Sequence, residues 1–108
     1  VVGVNSSLIK NVYSSGFIDY DDKKYSAVGG LIGYNSGAEI ATTNYWNIDS
    51  SGISTSDGGT GLNTGDMVKK SSYTDWDFDN IWNIEENTTY PYLRDNTQDP
   101  LPKPEPDA

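Results

Sequence analysis

Asp75, Asp77 and Asp79 stand at alternate positions, and Glu86 follows eleven residues after Asp75. That spacing sets out the carboxylates of a calcium loop, which ligates through its first, third, fifth and twelfth positions. The sixth position is Asn80, where the sharp turn of such a loop takes Gly. Trp76 and Phe78, between the carboxylates, read as inward side chains of a strand that turns the Asp residues outward. A strand rising about 3.3 Å per residue would hold Asp75 and Asp79 roughly 13 Å apart, too far to close on one ion. A solvated acidic strand is therefore the favoured reading, and calcium held by Asp75, Asp77, Asp79 and Glu86 is the lesser one.

Other chemistry is sparse. Asp19, Asp21 and Asp22 form an acidic turn, with Lys23 and Lys24 as local counter-charges, and such blocks usually stay solvated. The chain has no His and no Cys. A histidine base, a Ser-His-Asp arrangement and thiolate or Cys-zinc chemistry are all excluded. Glu39, Glu85 and Glu86 with the Asp residues could supply a glycosidase pair, but nothing singles out two of them. Gly58-Gly59-Thr60-Gly61 lacks the Gly-Lys-Ser/Thr ending of a phosphate loop. Three Trp and eight Tyr could offer stacking faces for sugars. Trp76 and Trp82 alternate with polar neighbours and read as core. Tyr20, Tyr25 and Tyr34 are the expected exposed aromatics and the candidate ligand contacts.

The 108 residues allow one domain at most, with a modest core. Hydrophobic content is 34% and aromatics reach 12%, so the core is expected to be aromatic rather than aliphatic. Leu31, Ile40, Trp76, Phe78, Ile81, Trp82 and Leu93 are its expected members. Eleven Gly among many Asn, Asp, Ser and Thr supply turns and favour short strands. The net charge of -9 makes nucleic acid an improbable partner, since phosphate contacts need clustered Lys and Arg. No 18-residue apolar run is present, and no membrane insertion is expected.

The elements that would position these residues follow from a repeat. Gly3, Asn5 and Ser6 recur as Gly33, Asn35 and Ser36, an offset of 30, and Asn11-Val12-Tyr13 is echoed by Thr43-Asn44-Tyr45 at an offset of 32. Repeats at such periods usually stack, each unit burying its apolar face on the next. Residues 1–46 carry the repeat. Residues 47–63 lose the apolar period and read as loop. Thr64 opens a short helix near 65–71, with Asp66 in its first turn. Residues 73–93 read as terminal strands, so that 47–93 completes the same domain and 64–93 caps it. Residues 94–108, with proline at alternate positions, read as a semi-rigid linker.

Gly29-Gly30-Leu31-Ile32-Gly33 with Tyr34-Asn35-Ser36-Gly37 resembles the GLUG motif of bacterial and archaeal surface proteins. The downstream Asn44-Tyr45-Trp46-Asn47, Gly58 to Thr64, Trp76-Asp77-Phe78, Ile81 to Ile84 and Tyr90-Pro91-Tyr92-Leu93 resemble the module that often closes a GLUG array. The resemblance implies an all-β fold, a short right-handed β-solenoid with a C-terminal cap that holds one short helix. It also implies a secreted or cell-surface repeat protein, adhesin-like and without catalytic residues here. The expected role is adhesion or a structural stalk, with neighbouring repeats and domains of the parent chain and surface glycans or proteins as partners. A carbohydrate-binding module and an accessory domain of a secreted enzyme, such as a protease, are the alternatives. No cofactor is expected beyond a structural calcium.

Overall fold

The computed structural model describes residues 2–19, 28–37, 43–95 and 99–104. The chain divides into two compact units, Val1–Asn63 and Thr64–Ala108.

In the first unit the repeat offset becomes strand register. Strands β1 (Val2–Asn5) and β3 (Ile32–Asn35) pair in parallel. Val2 lies opposite Ile32, Val4 opposite Tyr34 and Asn5 opposite Asn35. Strands β2 (Val12–Ser14), β4 (Asn44–Asn47) and β5 (Thr60–Leu62) form a second parallel sheet in the order β2-β4-β5. Here Val12 faces Asn44 and Tyr13 faces Tyr45. Equivalent positions of the two copies thus sit side by side. Leu31, Ile32 and Trp46 form the buried apolar centre, with Val2, Ile9, Val12 and Ile48 packed on it. The Trp46 Nε1–H donates to the Ile53 carbonyl at 2.9 Å, which satisfies the indole in that apolar setting. Gly30 is required at its place, because a Cβ there would land on the Trp46 ring. After β4 the Asn47 side chain accepts from Asp49 N–H at 2.9 Å and Ser50 N–H at 3.1 Å. These bonds cap helix α1 (Ile48–Ser51), which Gly52 ends in the left-handed conformation at φ 76°.

The second unit is built on aromatic rings. Helix α2 (Thr64–Met67) and a 3-10 turn (Lys70–Ser72) lead into turns, and then β6 (Trp82–Asn83) and β7 (Tyr92–Leu93) pair antiparallel. Met67, Val68, Tyr73, Trp76, Phe78 and Tyr90 are buried. Trp76 stacks on Trp82 at 4.3 Å between centroids and touches Tyr73 at 4.7 Å. The Tyr73 hydroxyl donates to the Met67 carbonyl, so burying it leaves no polar atom unsatisfied.

This architecture corrects the expectation of an all-β, right-handed β-solenoid. Among the described residues the strands are two to four residues long and lie in three small sheets, two parallel and one antiparallel, with two short α-helices and a 3-10 turn. No solenoid or closed sheet is present among them. The physical reason lies in the side chains. Asn, Ser and Asp take over backbone hydrogen bonds at the strand ends, as Asn47 does after β4, and stop each ladder within a few residues. The expected core is corrected in part. Leu31, Trp76 and Phe78 are buried and Trp82 is partly so, but Ile81 is 52% exposed and Leu93 39%. Ile40 lies outside the described residues.

Candidate functional site

The acidic segment does not have the geometry that its alternation suggests. Residues 73–81 form successive turns rather than a strand. Asp75 adopts a left-handed φ of 67°, which no extended strand contains. Trp76 N–H donates to the Tyr73 carbonyl at 3.3 Å, and Trp82 N–H donates to that of Asp77 at 2.8 Å. The expected extended strand is thereby corrected. The turn places Trp76 and Phe78 inward while the chain reverses, which a straight strand could also have done. Alternation alone does not separate the two.

Two of the four carboxylates, Asp77 and Glu86, are occupied locally. Asp77 Oδ1 accepts from Asp79 N–H at 3.0 Å and Asn80 N–H at 2.9 Å, and Oδ2 accepts from the Asn80 side-chain amide at 3.3 Å. The Asn80 N–H is the largest of the influences that hold the Asp77 carboxyl below the usual carboxylate range. Asp77 thus serves as the cap of its own turn. Glu86 Oε1 accepts from Lys70 N–H at 3.1 Å and ties the 3-10 turn to the loop before Tyr90. Among the described residues no three His, Cys, Asp or Glu side chains converge to hold a metal ion. Asp75, Asp77, Asp79 and Glu86 are therefore not brought together.

Of the candidate ligand contacts, Tyr20 and Tyr25 lie outside the described residues. Tyr34 is 52% exposed on β3, directly beside Val4 of β1, itself 68% exposed. The two make a small apolar face on the outer side of the β1–β3 pair. In the second unit Ile81 and Leu93, with Asn80 and Asp95, line an open depression of about 350 Å3.

The residues that do most in the first unit are asparagines, and the sequence marks them only as repeated letters. Asn5 Nδ2 donates to Asn35 Oδ1 at 3.0 Å, joining equivalent residues of the two copies. Asn44 Oδ1 accepts from Val12 N–H at 3.2 Å, and its Nδ2 donates to the Ile9 carbonyl at 2.9 Å. Thr43 Oγ1 accepts from Asn11 N–H at 3.0 Å. A buried amide that both donates and accepts can stitch neighbouring backbones where the ladder ends. The recurrence of Asn at matched offsets was the available signal.

No family model matches the chain, and no solved structure matches it. The chain is similar to a protein of Evansella cellulosilytica named "Putative Gly-rich membrane protein", with 37% identity over 98 residues. The match covers 85% of the chain and 11% of that protein, so the chain spans about a tenth of the relative's length. Among the described residues no helix is long and apolar enough to cross a membrane.

Proposed function

We propose that the chain is a non-catalytic segment of a longer secreted or cell-surface repeat protein, acting in adhesion or as a structural stalk. The observation that carries this reading is the use made of the repeated polar residues. Asn5, Asn35 and Asn44 hold copies of the repeat together in register. Strength in such a segment comes from many weak contacts presented together, which add by avidity. The much longer Gly-rich relative supports a place within a large chain. The test is a turnover assay on peptide and glycan substrates, run with the purified chain. No turnover is expected. An activity that survives repurification and disappears with one carboxylate substitution would overturn the proposal.

The paired Val4 and Tyr34 favour a second reading, a carbohydrate-binding face. An exposed Tyr ring beside an aliphatic neighbour offers a flat surface to a sugar. A glycan array separates the readings: binding that Tyr34→Ala abolishes selects the carbohydrate module, and no binding selects the stalk.

A further inference from the structure

The proline-alternating segment makes a strand-like contact of its own. Thr89 and Pro102 form an antiparallel bridge. Lys103 N–H donates to the Thr88 carbonyl at 2.9 Å, and Tyr90 N–H donates to the Leu101 carbonyl at 3.0 Å. Both bonds flank the Thr89–Pro102 pair, which is therefore the non-hydrogen-bonded pair of the ladder. At such a pair each residue's own N–H points away from the partner strand. Pro102, which has no N–H, forfeits nothing there.

Parity extends the point. In an extended chain the N–H and C=O groups of successive residues point to opposite edges. Leu101 and Lys103 direct theirs at Thr88–Tyr90. Pro100 and Pro104 stand at the same parity as Pro102. A peptide with this alternation can pair on one edge and offers no donors on the other, so it adds one strand and stops. With the segment in place, Thr89 and Tyr90 are 5% and 1% exposed.

We propose that the Thr88–Tyr90 edge is a strand-acceptor site for an extended peptide with proline at every second position and an N–H donor between. In the structure this chain's own Pro100–Lys103 segment fills it. Recognition is by backbone, as in strand addition to a sheet edge, and the residue between the prolines contributes its N–H rather than its side chain.

The test reads amide exchange at Tyr90 in the full chain, labelled with nitrogen-15. Tyr90 N–H is expected to be protected in the wild type and in Lys103→Ala, which keeps the backbone donor. Lys103→Pro removes that donor and should speed Tyr90 exchange on the order of tenfold, the effect of losing roughly one net hydrogen bond. A synthetic Asp-Pro-Leu-Pro-Lys-Pro peptide, added in excess to the Lys103→Pro chain, should restore protection and shift the Tyr90 amide signal. The same peptide with proline in place of lysine should do neither. The proposal is overturned if Lys103→Ala and Lys103→Pro exchange alike at Tyr90. It is also overturned if the Lys peptide leaves the Tyr90 signal of the Lys103→Pro chain unmoved.

Discussion

Asn44 is fully buried, with its amide bonded to Val12 N–H on one side and the Ile9 carbonyl on the other. Replacing it with Ala would leave the partly buried Val12 N–H and Ile9 carbonyl without those partners. The expected cost of Asn44→Ala is about 1–3 kcal/mol, the loss of two hydrogen bonds at about 0.5–1.5 kcal/mol each. Urea unfolding checks this, and an unshifted midpoint would contradict it. Asp77 tests the same idea at the surface. Its carboxyl titrates below the usual range, chiefly because Asn80 N–H bonds the ionised form. The native chain therefore releases this proton at lower pH than the unfolded chain does. The stability it contributes is full above the unfolded-state value and is lost as pH falls through the lower native one. An NMR titration should place the Asp77 midpoint below that of Asp in an unstructured peptide, and a midpoint at or above the peptide's would contradict the cap.

Within the elements, the second unit depends on its ring cluster. Trp76 is 6% exposed and contacts Trp82, Tyr73 and Phe78. Trp76→Ala should cost about 3–5 kcal/mol, the range for a large buried aromatic. A variant that unfolds at the parent's denaturant concentration would show the cluster to be dispensable. The elements also show what the sequence made legible. The offsets of 30 and 32 became strand register, because equivalent side chains meet across parallel strands. The segment before β5 was not legible as an element. Gly30 N–H donates to the Thr55 carbonyl, Asp57 N–H to that of Ile32, and Ser56 Oγ accepts from Ile32 N–H at 2.9 Å. Those contacts use polar side chains and backbone, so no apolar period announces them. The turns at 73–81 were hidden for the opposite reason. Their apolar and acidic residues alternate as a strand's do, while Asp77 closes a turn that alternation cannot encode. The pairing of Pro102 with Thr89 was obscured by a composition that reads as linker.

On the scale of the whole molecule the chain divides into two compact units, and the first runs past the last repeated residue to Asn63. The candidate site was less legible than the fold. Asp75, Asp77, Asp79 and Glu86 have the spacing of a metal loop, but among the described residues no three such side chains converge. The structural asparagines stood out only as repeated letters. Those repeated residues hold the copies together in parallel register. A nuclear Overhauser spectrum of the folded chain tests this most directly, because cross-peaks report protons within about 5 Å, near the 4.7–4.9 Å spacing of paired strands. Cross-peaks between Val4 and Tyr34, between the Asn5 and Asn35 side chains, and between Tyr13 and Tyr45 are expected. Cross-peaks that pair β1 with β3 antiparallel, or at any offset other than the repeat's, would contradict the account.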